Sequence, residues 1–334
     1  MGELTGPGLP EVFVTRRLPP DTLAPLAGRV RLRMYEDEAQ AVPRDRLLQE
    51  AATADGLLVL LTDRVDAPLL DAAPRLRAVS TMSVGWDHID VEACTARGVC
   101  VCHTPGVLTE TTADLCFALM LACARRLGAG ERAVRAGQWP PWSPFAFAGL
   151  DVHGRTLGIV GLGRIGRAVA RRARGFAMPV LYSGPRRHAD AEAETGARHV
   201  SLEVLLATAD FVVLLAPLTP QTVGMIGAPQ LACMKPDAVL VNVARGGLVD
   251  EQALAAALQA GRPWGAALDV FQQEPASPQH PLLALPNVVA VPHIGSASVA
   301  TRCAMARLAA ENLAVALTGR APSACVNPQA CRLP

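Results

Sequence analysis

The sequence of 334 residues is poor in the features that mark membrane, secreted and nucleic-acid-binding proteins. Its longest apolar run, at residues 115–124, is about half the length of a membrane-spanning helix. The N-terminus lacks the basic and then apolar pattern of a signal peptide. Because the formal net charge is only +1, we expect no general attraction to nucleic acid or to an anionic membrane. These absences favour a cytoplasmic protein that binds neither.

The nine cysteines lack the spacing of metal ligands. No pair reads C-x-x-C, and Cys100-Val101-Cys102 is too tight for a zinc knuckle. Cys116, Cys123 and Cys233 lie in apolar stretches, where a free cysteine behaves as a small hydrophobic residue. The count and the spacing suit a reducing compartment. We therefore predict no metal site.

Apolar runs, by contrast, recur along the whole chain, of which 51% is hydrophobic. The runs alternate with helical patterns, which predicts parallel β-sheets covered by helices in an α/β fold. The first hundred residues form one such unit. A helix with a polar start, at residues 109–126, marks the crossing into a second unit.

An irregular segment, residues 137–145, follows that helix. It contains three prolines together with Trp139, Trp142 and Phe145, in a chain that is only 4% aromatic. Exposed aromatic clusters favour an interface between proteins. The alternative is a loop folded back on its own core.

A glycine-rich turn is the strongest motif. The apolar run Leu157-Gly158-Ile159-Val160 leads into Gly161-Leu162-Gly163-Arg164-Ile165-Gly166, and a helical pattern follows. Strand, glycine turn and helix in this order predict dinucleotide binding. Gly161 would permit the tight turn, Gly163 the approach of a pyrophosphate and Gly166 the packing of helix on strand. The alternative is a turn that binds nothing.

The end of the next strand discriminates between the two nicotinamide cofactors. It reads Tyr182-Ser183-Gly184-Pro185-Arg186-Arg187, with two arginines and no carboxylate to accept from a ribose hydroxyl. Guanidinium groups match phosphate geometry, so the sequence predicts NADPH over NADH. A solvated basic loop is the alternative.

Three chemically capable residues follow three apolar strands: Arg245, Glu274 and His293. We expect all three at the sheet edge where the nicotinamide would lie. Arg245 could hold the carboxylate and carbonyl of a 2-oxo acid, and His293 could supply a proton. Glu274 would favour the imidazolium form of that histidine. The other histidines are not grouped with charged residues that follow apolar strands, and they are interpreted as structural or surface residues.

One loop of the first unit also follows a strand directly: Ser83-Val84-Gly85. The backbone N–H groups of Val84 and Gly85 could hold a small carboxylate. An ordinary turn is an equal alternative at this point.

Taken together, these motifs resemble the D-isomer-specific 2-hydroxyacid dehydrogenases, and among them most closely the glyoxylate/hydroxypyruvate reductases of animals. The resemblance covers nearly the whole chain. The motifs that carry it are residues 12–17, 80–85, 161–166, 242–246, 268–275 and 292–297.

This resemblance implies two Rossmann- or flavodoxin-like domains, each a doubly wound parallel sheet, with the active site in the cleft between them. Residues 1–108 and 298–334 would form the substrate-binding domain. Residues 109–297 would form the NAD(P)-binding domain, with a dimerisation arm at about 125–150 that embraces a second subunit.

The resemblance also assigns roles. His293 would donate the proton, Glu274 would pair with it, and Arg245 would bind substrate. Further substrate contacts would come from Ser83, Val84, Gly85, His293, Ser296 and the partner subunit's Trp142. Cofactor contacts would come from Gly161, Gly163, Arg164, Ile165, Gly166, Ser183, Gly184, Arg186, Arg187, Pro217, Val243, Asp269 and Gly295.

The activity implied is NADPH-dependent reduction of glyoxylate to glycolate and of hydroxypyruvate to D-glycerate, with weaker use of NADH, by a homodimer. Two alternatives stay open. One is a dehydrogenase of the D-3-phosphoglycerate type. The other is a non-catalytic, NAD(H)-sensing protein similar to the corepressors that share the same three residues.

Overall fold

The computed structural model describes residues 8–331, which divide into two compact units. The first unit contains the described residues up to Leu108 and those from Ser298 onward. The second unit runs from Thr109 to Ala297. Each unit has its own parallel β-sheet, and each is described below by itself.

The first unit has a five-stranded parallel sheet in the order β2-β1-β3-β4-β5, the flavodoxin-like arrangement. A 3₁₀ helix, Pro20–Leu26, follows the first strand. The strands are β1 (Glu11–Val14), β2 (Arg31–Met34), β3 (Gly56–Val59), β4 (Ala78–Thr81) and β5 (Cys100–Cys102). Its helices are α1 (Arg44–Ala51), α2 (Ala67–Ala72), α3 (Val91–Ala96) and, after the second unit, α11 (Val299–Leu317).

The second unit has seven parallel strands in the order β12-β11-β10-β9-β6-β7-β8. The strand order reverses between β6 and β9, as it does at the switch point of a Rossmann sheet. The strands are β6 (Leu157–Val160), β7 (Val180–Ser183), β8 (Arg198–His199), β9 (Phe211–Leu214), β10 (Val239–Asn242), β11 (Gly265–Leu268) and β12 (Val288–Ala290). The helices are α4 (Thr109–Ala124), α5 (Leu127–Arg135), α6 (Arg164–Ala173), α7 (Ala189–Thr195), α8 (Leu202–Thr208), α9 (Ala228–Cys233) and α10 (Glu251–Gln259). Two doubly wound parallel sheets confirm the predicted fold class.

The second sheet is buried on both faces, which explains why its strands are apolar without alternation. β6, β9, β10 and β11 are buried along their whole lengths. α4 covers one face, and its sulfur-rich apolar side chains join the same core as Ile159 and Val213. Cys116 and Cys123 are buried as expected, but the expectation for Cys233 is wrong, because it ends the short surface helix α9 and is exposed.

Between α5 and β6 the chain has neither helix nor strand. Residues 137–149 of this segment are exposed throughout, including Trp139 at 73%, Trp142 at 87% and Phe145 at 84%. The alternative that this loop folds back on its own core is therefore wrong for these side chains. Among the described residues, none of the helices combines the length and the apolar character that crossing a bilayer requires.

Candidate active site

The glycine turn after β6 has the geometry that its sequence predicts. Gly161 has a φ of +102°, and a Cβ there would lie 2.8 Å from the backbone nitrogen of Ala216. A Cβ at Gly166 would lie 2.4 Å from the carbonyl oxygen of Gly161. Any larger residue would therefore push β6, α6 and the end of β9 apart.

The start of α6 suits a pyrophosphate. Gly163 is the N-cap and provides no side chain to occupy the first helical N–H groups, and a Cβ on it would meet nothing within 4 Å. Arg164 and Ile165 form the first turn, where the helix dipole adds to the attraction for an anion. These residues fit the phosphates of a dinucleotide, whose contacts with them stay a prediction.

The structure separates the two arginines that follow β7. Arg187 forms a two-pronged ion pair with Glu192 of α7, with Nη2 to Oε2 at 2.7 Å. The hydrogen bond from Arg187, followed by one from Tyr182, holds the pKa of Glu192 below its usual value. Arg186 is exposed, and within residues 8–331 its side chain makes no hydrogen bond or ion pair. The sequence argument treated both arginines as available, but Glu192 already engages Arg187.

Other predicted cofactor residues lie at the same edge of the sheet. Ser183 ends β7 and Gly184 follows it, and the carbonyl of Gly184 accepts from His199 Nε2 at 3.1 Å if that nitrogen carries the proton. Pro217 follows β9 and is exposed, whereas Val243 follows β10 and is buried. Their contacts with a nucleotide stay predictions.

The three residues predicted to carry the chemistry follow three neighbouring strands. Arg245 comes after β10, Glu274 after β11 and His293 after β12, and these strands are adjacent in the order β12-β11-β10. All the strands are parallel, so all three residues lie beyond the same edge. The sequence anticipated this placement because each residue lies in the loop that follows an apolar run.

Glu274 and His293 form a direct pair, with Oε2 and Nδ1 2.7 Å apart. The other carboxylate oxygen of Glu274 accepts from the backbone N–H of Phe271 at 3.0 Å. Burial works to raise the pKa of Glu274, but the hydrogen bond and the charge of His293 outweigh it and hold that pKa below 4.5. Since an ionised carboxylate can only accept, Nδ1 of His293 must donate. No hydrogen bond of the Nε2 nitrogen occurs among the described residues.

The loop that carries His293 is held by a buried carboxylate. Asp269 accepts from the backbone N–H of Ile294 at 2.6 Å and from that of Gly295 at 2.8 Å, and its own carbonyl accepts from His293 N. His293 has a φ of +52°, a left-handed conformation that few residues other than glycine adopt and in which asparagine, aspartate and histidine are the commonest exceptions. Sequence reasoning gave Asp269 a place near the nicotinamide and missed this role as a clamp. The available signal in the sequence was an acidic residue directly after the apolar run that ends at Leu268.

Hydrogen bonds with Asn242 hold the backbone of the loop that carries Arg245. Asn242 donates from Nδ2 to the carbonyl of Arg245 at 2.9 Å, and its Oδ1 accepts from Ala244 N. A Cβ at Gly246 would lie 1.9 Å from the carbonyl carbon of Phe271, so the β10 loop packs directly on the β11 loop. The half-buried guanidinium is close enough to lower the pKa of Glu274. Sequence reasoning did not identify Asn242 as part of this arrangement.

In the first unit, the loop after β4 is held from inside. Ser83 is buried, and its hydroxyl donates to the carbonyl of Gly85 at 2.6 Å and contacts Thr81 Oγ1 at 2.8 Å. The backbone N–H groups of Val84 and Gly85 make no hydrogen bond with the described part of the chain. Two such donors can receive a carboxylate, which is the role predicted for them. A single cleft shared by both units stays a prediction.

Comparison with known proteins places these residues in context. The sequence profile of the NAD-binding domain of D-isomer specific 2-hydroxyacid dehydrogenases matches residues 117–295. A glyoxylate reductase of Korarchaeum cryptofilum is 49% identical over 325 residues, which are 97% of this chain and 98% of that protein. A glyoxylate/hydroxypyruvate reductase B of Yersinia pseudotuberculosis is 49% identical over 321 residues, 96% and 98% of the two chains.

A solved structure is similar over the same span. The NADPH-dependent glyoxylate/hydroxypyruvate reductase of Sinorhizobium meliloti, in complex with NADP and malonate, has a TM-score of 0.83 and 36% identity. The match covers 97% of this chain and 98% of that one. These relatives are archaeal and bacterial, so the expected closeness to the animal enzymes stays a prediction.

Proposed function

The chain belongs to the D-isomer-specific 2-hydroxyacid dehydrogenase family, and from that premise we propose that it reduces glyoxylate to glycolate and hydroxypyruvate to D-glycerate with NADPH. The family binds a nicotinamide cofactor, and relatives named for these reductions are 49% identical to this chain over almost its whole length. A single observation carries the proposal: the imidazole of His293 is fixed through one nitrogen and leaves the other for a substrate.

In this proposal the residues of the three loops have different roles in the reaction. Arg245 holds the substrate carboxylate and polarises its carbonyl group, which its fixed fork geometry suits. The reduced nicotinamide, when bound, supplies the hydride that C2 receives. His293 gives a proton from Nε2 to the C2 oxygen, so that the 2-oxo acid gains one hydride and one proton. Glu274 stabilises the imidazolium form and keeps the ring in position.

Ser83, Val84 and Gly85 would hold the substrate carboxylate, supported by the two backbone donors, and Ser296 would lie beside the substrate. Asp269 would keep the His293 loop in place. Gly295 would contact the cofactor, and its lack of a side chain lets the loop lie close to Asp269, since a Cβ there would lie 3.0 Å from Asp269 Oδ2.

The preference for NADPH rests on Arg186. Its exposed guanidinium, just past β7, would pair with the 2′-phosphate, while Arg187 supports the loop through Glu192. We expect Arg186→Ser to raise the KM for NADPH about 10- to 100-fold, the worth of one charge-assisted hydrogen bond, with little change for NADH. Arg187→Ser is the matched control. Equal loss with both cofactors in Arg186→Ser would contradict this assignment.

A homodimer is the proposed assembly. The exposed aromatic side chains of residues 137–145 are the supporting feature, because large apolar groups at 73% to 87% exposure favour an interface. The partner subunit's Trp142 would then reach the substrate. One chain has a mass of 35.0 kDa, and light scattering should give twice that value. A mass equal to that of one chain would refute the proposal. A cytoplasmic location stays a prediction from sequence.

One assay tests the activity and both alternatives. Oxidation of NADPH is measured as the decrease in the absorbance of the reduced cofactor. Glyoxylate, hydroxypyruvate and phosphohydroxypyruvate are assayed in parallel. We expect turnover with the first two and much less with the third. Turnover only with the phosphorylated substrate would favour the phosphoglycerate type. Tight cofactor binding without turnover of any of them would favour a sensing protein.

A further inference from the structure

The C-terminal segment covers one edge of the first sheet. β5 is the last strand of that sheet, and Cys325 pairs with Cys102 in an antiparallel bridge. Backbone bonds run from Val326 N to Val101 O at 2.8 Å and from His103 N to Ala324 O at 3.1 Å. The segment therefore supplies a short extra strand and hides the open edge of β5.

Asn327 holds this segment in place. It is 1% exposed, and its side chain accepts from Val101 N at 2.7 Å while donating to Val99 O and to Thr95 Oγ1, each at 2.9 Å. A 3₁₀ turn, Pro328–Ala330, then brings the chain back toward β5. The residue after that turn is Cys331, which is thereby returned to the strand.

Three thiols meet where the segment and the strand converge. The sulfur of Cys100 lies 2.9 Å from that of Cys331 and 3.6 Å from that of Cys325, and Cys325 and Cys331 are 3.1 Å apart. Two of these separations are shorter than the roughly 3.5–4.0 Å of ordinary non-bonded contact, and all exceed a covalent disulfide of about 2.05 Å. Within residues 8–331 this is the one group of three side chains with metal-ligating atoms this close together.

The spacing is close to that of thiolates around one soft metal ion. Two sulfurs that are each about 2.3 Å from a tetrahedral zinc ion lie about 3.8 Å apart. The Cys100–Cys325 separation, at 3.6 Å, is already near that value. Cys331 is partly exposed at the end of the described chain, so it can move outward by less than about 1 Å to complete the set. A disulfide, in contrast, would use only two of the three sulfurs.

A cavity beside the cluster can hold a further ligand of the ion. It has a volume of about 340 Å³, borders Cys100 and Cys331, and is also lined by Arg77, Arg97 and Arg320. Three thiolates and one divalent cation carry a net charge of −1, opposite in sign to these guanidinium groups, of which that of Arg97 is already paired with Asp71. The cavity also leaves room for water as the fourth ligand of the ion.

The geometry points to a zinc site in which Cys100, Cys325 and Cys331 bind one Zn²⁺ and fasten the C-terminal segment to β5. Three Zn–S bonds form as three S–H bonds break, and the three protons pass to solvent, so no oxidant or reductant is needed. The site lies in the first unit, whereas the glycine turn and His293 belong to the second. Its role is to stabilise the fold of the first unit.

A cobalt titration tests the site directly. Full-length protein is stripped with a chelator, reduced with a phosphine and titrated without oxygen with Co²⁺, whose thiolate complexes absorb in the near ultraviolet. We expect the absorbance to saturate at one Co²⁺ per chain and to disappear when Zn²⁺ is added. Cys325→Ser and Cys331→Ser should lose stoichiometric binding. Cys233→Ser and Cys303→Ser, which change cysteines outside the cluster, should keep it.

Thermal unfolding provides a second measurement. Zn²⁺ should raise the Tm of the parent protein and leave that of Cys331→Ser unchanged, while the two proteins unfold at similar temperatures without metal. Absence of the cobalt band from the reduced protein would overturn the proposal. The same band in both Cys325→Ser and Cys331→Ser would do so too. A Cys100–Cys331 or Cys325–Cys331 disulfide in protein alkylated during lysis, with no zinc uptake after reduction, would identify a redox pair instead.

Discussion

Two histidine–glutamate pairs occur in the second unit, and only one of them is suited to catalysis. His293 contacts Glu274 at 2.7 Å, and His280 contacts Glu251 at 3.0 Å. The second pair begins a 3₁₀ helix, Pro281–Ala284, where His280 Nδ1 accepts from Leu282 N. Because Nδ1 accepts there, Nε2 must donate to Glu251, and both ring nitrogens of His280 are used.

The two histidines differ in the contacts of the second ring nitrogen, the one that does not face the carboxylate. His293 donates through Nδ1, and the described residues provide no partner for its Nε2, whereas His280 caps a helix and packs edge-on against Phe271. The backbone differs as well, since His293 has a left-handed φ of +52° and His280 a φ of −58°. A carboxylate beside an imidazole is thus not enough to mark a catalytic group. The state of the second ring nitrogen decides.

The largest expected effect is on turnover, when the imidazole of His293 is replaced. His293→Asn should lower kcat about 10²- to 10⁴-fold, because asparagine can donate to Glu274 but has no proton to transfer. Asparagine also tolerates the left-handed backbone, so the loop should keep its shape. Steady-state rates with glyoxylate measure the effect, and tight binding of NADPH should persist. His280→Asn is the matched control and should keep near-parental kcat; equal losses in both variants would mean that the two pairs do not differ in role.

A smaller effect is expected from the carboxylates. Glu274→Gln should lower kcat about 10-fold at neutral pH, since a charge-assisted hydrogen bond becomes a neutral one of roughly half the strength. Steady-state kinetics with glyoxylate at neutral pH measure this. Glu251→Gln, the control, should keep near-parental kcat, and an equal loss in both variants would argue against a specific role for Glu274.

The pair should also show itself in acid stability. The pKa of Glu274 in the folded protein lies below 4.5, so its contribution to stability is fully present above that pH and is lost as pH falls through the folded value. We expect the free energy of unfolding of Glu274→Gln to lie below that of the parent at pH 6 and to converge with it in stronger acid. Urea unfolding across this range measures it. A constant difference at all pH values would contradict the linkage.

The smallest expected effect is on folding stability, when the imidazole of His280 is replaced. His280→Asn should cost about 1 kcal/mol of folding stability, because it removes the hydrogen bond to Glu251 while asparagine can still cap the helix. Urea unfolding at neutral pH measures this, alongside the kcat already described. A loss of stability with unchanged turnover is the signature of a structural pair; unchanged stability would show that the hydrogen bond contributes nothing net.

Local patterns were enough to locate much of this molecule. The glycine turn could be placed because a strand, a tight turn and a helix each leave a sequence signature, and Gly161 and Gly166 meet the steric demands expected of them. Arg245, Glu274 and His293 could be grouped because parallel strands place all their C-terminal loops at one edge.

Contacts between distant segments were not accessible in the same way. The pairing of Arg187 with Glu192 depends on how α7 packs back on β7, which no charge count reveals. Cys100 and Cys331 are separated by 231 positions and meet only because the C-terminal segment pairs with β5. Cys233 appeared apolar by its neighbours, but the end of a short surface helix leaves it exposed. Such outcomes depend on tertiary packing, which spacing along the chain does not encode.

The three loops of the candidate site rise from β10, β11 and β12, and this arrangement has a consequence for engineering. Adjacent strands lie about 4.8 Å apart because backbone hydrogen bonds fix that interval. The distances among the three loops therefore depend on the ladder and hardly at all on the length of what joins the strands. The connection around Gly261, exposed after α10, is consequently a place where extra residues or a reporter peptide could be inserted while the reacting groups keep their positions.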